Sequence, residues 1–205
     1  MDQAAAAAHG HGEEDHVASF ERARLAMWLF LASEIMMFGA FIAAYVVLWM
    51  SAPVQVKDGP ETAFSKHHLS PMIALFNTGV LILSSFTMVK SVQAISKGLR
   101  SKCEDYMIAT AALGTLFLGV KMYEYSLKFA DGIGPDTNVF YGCYFLMTGF
   151  HGIHVLIGVI LLIWCAFYVK RFDQHHYAHV ENLALYWHFV DLVWIFLFPI
   201  VYLLH

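Results

Sequence analysis

The sequence predicts an all-α polytopic membrane protein, a bundle of five transmembrane helices. Of its 205 residues, 59% are hydrophobic and only 14% charged, whereas soluble domains carry roughly 25% charged residues. Five apolar stretches each reach the ~20 residues that a helix needs to cross a bilayer core. The segments between them carry turn chemistry, such as Lys57-Asp58-Gly59-Pro60-Glu61 and Asp131-Gly132-Ile133-Gly134-Pro135-Asp136. None is long enough for a second domain.

Residues 1–20, with Ala4 to Ala8, His9, His11, Glu13, Glu14 and Asp15, are expected to be a flexible polar tail. They lack the basic start and apolar middle of a secretory signal, so the first span is expected to direct insertion. Residues 21–205 form the single membrane domain, with helices at approximately 23–50, 71–95, 106–129, 139–169 and 183–204. Pro71 opens the second helix and Pro199 lies near the end of the fifth. No internal repeat is visible, which argues against an inverted-repeat transporter.

Charge supplies the orientation. Arg22, Arg24, Lys90, Lys97, Arg100, Lys102, Lys170 and Arg171 fall on one side, and Lys57, Lys66 and Lys128 on the other. The positive-inside rule then places the N-terminus in the cytoplasm and His205 outside. Net charge is -4 without a long basic block, which excludes nucleic acid as a partner. Cys103 falls in a polar loop, while Cys143 and Cys165 fall near opposite ends of the fourth span. Three free thiols are expected.

The informative residues are the polar ones inside the spans. Glu34 has at least seven uncharged residues on either side, and an ionised carboxylate at bilayer depth costs at least a few kcal/mol. It is expected to face protein, water or a polar partner. Arg24 lies ten residues earlier, about 15 Å along a helix, where it either holds a lipid phosphate or snorkels to the surface.

Lys121 and Glu124 are three apart in the third span, as are His151 and His154 in the fourth and His188 and Asp191 in the fifth. Each pair shares a helix face. Polar faces on several helices are best satisfied by pointing inward and pairing, and Gly149, Gly152 and Gly158 would allow the close approach. Lys121 and Glu124 are expected to neutralise each other or outside partners, and His188 and Asp191 to bond to neighbouring helices. The sharper alternative is a copper or zinc site at His151 and His154, or at His175, His176 and His179. No cysteine or carboxylate has a matching position. Trp28, Trp49, Trp164, Trp187 and Trp194, with Tyr45, Tyr123, Tyr168, Tyr186 and Tyr202, include many near span ends, as interfacial anchors should be.

Gly149-Phe-His-Gly-Ile-His-Val155 and Tyr186-Trp-His-Phe-Val-Asp-Leu-Val-Trp194, with Ser33-Glu-Ile-Met-Met-Phe38 after Arg24 and Tyr123-Glu-Tyr125, are similar to motifs of subunit III of the haem-copper respiratory oxidases. The resemblance runs from about Phe20 to the end. It implies a non-catalytic subunit of the bacterial inner membrane, with haem and copper in partner subunits and none in this chain. It also implies packing against subunit I within a complex that includes subunit II, bound phospholipid in a cleft, and support for proton uptake and catalytic lifetime. The family's lipid- and proton-related carboxylate falls on Glu34 and its basic residue on Arg24. Longer members have two additional N-terminal helices, and many carry Gln where Lys121 stands here. A nitric oxide reductase accessory subunit and a proton-coupled carrier are the competing classes.

Overall fold

In a computed structural model, residues 2–51, 71–169 and 177–203 are described, with side chains described for 21–51, 72–169 and 179–202. All regular structure among them is helical: α1 Asp2–Ser51, α2 Pro71–Ser96, α3 Arg100–Ala130, α4 Val139–Tyr168, α5 Tyr177–Phe198 and a π-helical turn, Pro199–Leu203. All five helices are long and apolar enough to cross a membrane. The chain is a multi-pass membrane protein. Lys57, Lys66, Lys170, Arg171, His175, His176 and His205 lie outside the described residues, as do the side chains of His9 and His11.

The crossing part of α1 is Glu21–Ser51. The polar segment expected as a tail continues this helix back to Asp2, consistent with its run of alanines, the best helix formers.

Helices α2 to α5 form a ring in which each packs on its chain neighbours and α5 closes back on α2; α1 lies outside, against α4 and α5. Only 17% of the apolar window of α1 is buried, against 56% of that of α5. Each helix turns a 3–4-spaced stripe inward. In α2 the stripe is Ala74, Asn77, Leu81, Ser84, Met88 and Ser91, so a polar residue recurs every seven positions. In α1 it is Leu31, Phe38 and Tyr45, with Glu34 between the first two. The outward faces are apolar, as Met36, Met72, Met122 and Phe167 show, which suits a lipid surround rather than water.

Besides α1, boundaries differ from expectation at two further helices, where α3 and α5 each begin six residues early. At α3 the cause is a tight turn. Gly98, at φ +72°, lets Leu99 N–H donate to Ala94 O at 2.9 Å and Gly98 N–H to Ile95 O at 2.9 Å, which caps α2 and releases the chain straight into α3. Cys103 is therefore not in a loop but fully buried on α3, 3.8 Å from Met107 Sδ. Gly98→Ala forces an L residue into the left-handed region and is expected to cost roughly 1–2 kcal/mol; detergent-phase unfolding checks this, and an unchanged midpoint would refute it. At the start of α4, Asn138 Oδ1 accepts from Tyr141 N–H at 2.8 Å, a side-chain cap.

The tryptophans divide. Trp28 and Trp164 are more than half exposed, but Trp187 and Trp194 are fully buried in the ring and are not interfacial anchors. Trp187 fits between α3 and α4 because Gly114 and Gly158 lack side chains. A Cβ at Gly114 would lie 2.6 Å from Trp187 Cη2, and one at Gly158 would lie 2.8 Å from Trp187 Cζ3. At Gly149 and Gly152 the nearest atom is 4.0 Å away; these two glycines are not required for close approach.

Candidate functional site

Three polar groups form where the stripes meet. The first joins α1 to α4. Glu34 Oε2 lies 3.0 Å from His154 Nε2, with the two side chains 14% and 13% exposed. His154 Nδ1 is 2.8 Å from Phe150 O; a carbonyl can only accept, so Nδ1 carries a hydrogen. Glu34 Oε2 makes no aligned hydrogen bond, and the contact is one of charge and proximity. Phe38 packs edge-on to His154 at 5.4 Å, and Tyr186 O–H donates to His154 O at 3.0 Å, which fixes α5 beside the pair. Arg24, exposed on the same helix about three turns away, is not brought to Glu34.

The second group lies near the end of α3. Lys121 Nζ donates to Glu124 Oε2 at 3.0 Å, and Lys128 Nζ to Glu124 Oε1 at 2.7 Å. All three side chains are buried. Tyr202 O–H donates to Glu124 Oε1 at 2.8 Å and Tyr144 O–H to the same oxygen at 3.1 Å, while Lys121 Nζ also donates to Tyr202 Oη at 2.8 Å. Lys121 Nζ lies 4.9 Å from the centroid of a Trp194 ring and 5.3 Å from that of Tyr144, so aromatic faces take part of the charge. The π turn is what delivers Tyr202. Pro199 has no N–H and its ring crowds the preceding turn, so the helix widens there and rotates residue 202 toward α3.

Lys121 and Glu124 were the visible half of this group. Lys128 counts as a surface charge by its position near a span end, yet it is 1% exposed; the signal that finds it is its spacing of four from Glu124. Tyr144 and Tyr202 carry no such local signal.

The third group joins α2 to α5. Ser85 O–H donates to Asp191 Oδ2, and His188 Nδ1 lies 3.1 Å from Ser85 Oγ. One turn either side, Trp187 Nε1–H donates to Ser84 Oγ and Trp194 Nε1–H to Thr78 Oγ1, both at 3.0 Å. His151 belongs to none of these groups: it is fully buried, stacks on Trp194 at 5.1 Å and meets the edge of Phe117 at 5.7 Å.

His151 and His154 therefore do not converge on a common ion. Among the described residues no three His, Cys, Asp or Glu side chains gather as a metal site, and Cys103, Cys143 and Cys165 are unpaired. Fold and site together define a polytopic helical membrane protein with ionisable groups clustered between its helices.

The chain belongs to the cytochrome c oxidase subunit III family, whose model matches residues 5–205. It is 38% identical over 184 residues to cytochrome c oxidase subunit 3 of Thermostichus vulcanus, covering 88% of this chain and 86% of that one. It is 35% identical over 201 residues to that of Synechocystis sp., covering 96% and 80%, and 37% identical over 186 residues to that of Marchantia polymorpha, covering 87% and 67%. The protein is thus an accessory subunit III of a haem-copper oxidase. Among the three classes open to the sequence, these relatives select the first.

Proposed function

We propose that this subunit docks on the catalytic subunit I of a cytochrome c oxidase, alongside subunit II, in a bacterial inner membrane. Its N-terminus is cytoplasmic and its C-terminus outside. Haem and copper reside in the partner subunits. Glu34 with His154 supports proton supply and catalytic lifetime, and Arg24 and the thinly packed flank of α1 hold phospholipid. The observation that carries this reading is the Glu34–His154 pair itself. It sets a partly exposed acid on α1, the helix outside the ring, 3.0 Å from an imidazole on α4. The nearby imidazole gives the acid a polar partner inside the span, which offsets part of the cost of a lone charge there.

The test is to purify the native complex, record its reduced-minus-oxidised spectrum, and follow oxygen uptake with reduced cytochrome c. A complex without haem would overturn the assignment. Within it, Glu34→Gln should assemble normally and show the wild-type initial rate but inactivate several-fold faster during turnover. Glu34→Lys, which sets an ammonium against His154, should reduce the recovered subunit. Unchanged lifetime in Glu34→Gln would leave the pair without the proposed role.

A further inference from the structure

The ring encloses two buried polar groups whose hydrogen-bonding capacity the protein does not use. Neither ring nitrogen of His151 has a hydrogen-bond partner, although the side chain is 1% exposed. Asn77, 0% exposed, donates from Nδ2 to Phe117 O at 3.2 Å. That acceptor is a carbonyl, so the amide orientation is fixed and Oδ1 points elsewhere, without a partner. Both residues touch Phe117, Asn77 at its backbone carbonyl and His151 at its ring. Trp194 lies 4.9 Å from Phe117, 5.1 Å from His151 and one residue pair away from Asn77 through Thr78. A third such atom, Asp191 Oδ1, lies one helical turn from Trp194 on α5.

Buried polar atoms are almost always bonded, and a neutral imidazole needs an acceptor on one nitrogen and a donor on the other. The ring is stacked on Trp194 at 5.1 Å and edge-on to Phe117 at 5.7 Å, and neither hydrocarbon surface supplies a conventional donor or acceptor. Buried water, held by about three hydrogen bonds, serves both as donor and as acceptor. We propose that His151 and Asn77 Oδ1 bind ordered water inside the ring of α2 to α5, at the Phe117–Trp194 pair. This hydrated site begins three residues from His154 on α4 and shares Trp194 with the Lys121 ammonium. It places exchangeable protons between the Glu34–His154 pair and the charged group of α3. The site stands independently of whether Glu34 supports turnover.

The experiment is an electron cryo-microscopy map of the assembled oxidase at a resolution that resolves water, for the wild type and for His151→Phe, which keeps the stacking on Trp194. The expected result is solvent density within hydrogen-bond distance of a His151 ring nitrogen and of Asn77 Oδ1, lost in the variant. Absence of such density in the wild type, or the same density retained in His151→Phe, would overturn the proposal. Should the variant fail to assemble, the wild-type map alone decides. A haem-free preparation would instead count against the assignment above, so the two failures are distinct.

Discussion

Glu124→Leu is expected to abolish recovery of the folded subunit. The carboxylate is the shared acceptor of Lys121 at 3.0 Å and Lys128 at 2.7 Å. Without it, two ammonium groups stay buried with only phenol oxygens and aromatic faces to meet them. Breaking a buried ion pair by removing one partner costs roughly 3–5 kcal/mol, a large part of the 5–15 kcal/mol that typically holds a domain together. The physical cause is the stranded charge rather than lost attraction, which gives a sharper second arm. Replacing the whole group, as Lys121→Met, Glu124→Leu and Lys128→Met together, should restore recovery, because apolar replacement of a complete buried ionic group is often neutral. Tyr144 and Tyr202 remain within 3.3 Å of each other and keep a hydroxyl partner. Recovery is read as detergent-extracted subunit that co-purifies with the complex. Wild-type recovery of the single variant would show that the group is not held charged.

Trp187→Ala is the second large effect. The indole is fully buried and occupies space that Gly114 on α3 and Gly158 on α4 leave open, so its removal leaves a cavity bounded by three helices. Truncating a buried Trp to Ala costs roughly 3–5 kcal/mol, and here it also strips Ser84 Oγ of its 3.0 Å donor. Trp187→Phe should lose less, keeping the ring in the slot and giving up only the hydrogen bond and part of the volume. Unfolding by denaturing detergent reads the order wild type, Phe, Ala. Equal midpoints for Ala and wild type would mean that the helices close over the gap.

Both predictions rest on features of unequal visibility in the sequence. Helix number and type follow from apolar runs that no soluble fold tolerates, and the inward stripes follow from spacing, as Asn77, Ser84 and Ser91 illustrate. The early start of α3 is harder to read. Ser101, Lys102, Glu104 and Asp105 resemble a loop by polarity, yet Gly98 compresses the turn and leaves them in the first turns of a helix. Polarity near a membrane surface marks depth, not secondary structure.

Local pairs are similarly accessible, since Lys121 with Glu124 needs only a spacing of three. The partner of Glu34 is not, because 120 residues separate it from His154 and only the packing of α1 on α4 brings them together. The burial of Trp187 and Trp194 is hidden for the same reason: whether an indole sits at an interface or in a core depends on what faces it, and Gly114 and Gly158, which make room for Trp187, lie on other helices.

The closure of the ring by α5 has a consequence for biogenesis. As the chain emerges, α2, α3 and α4 can pack in sequence, but Thr78, Ser84 and Ser85 do not receive their indole and carboxylate partners until α5 has entered. Glu124 likewise waits for Tyr202, in the π turn that follows α5. A subunit caught before α5 inserts therefore presents a polar face within the lipid, a mark by which quality-control proteases can distinguish unpacked chains from packed ones.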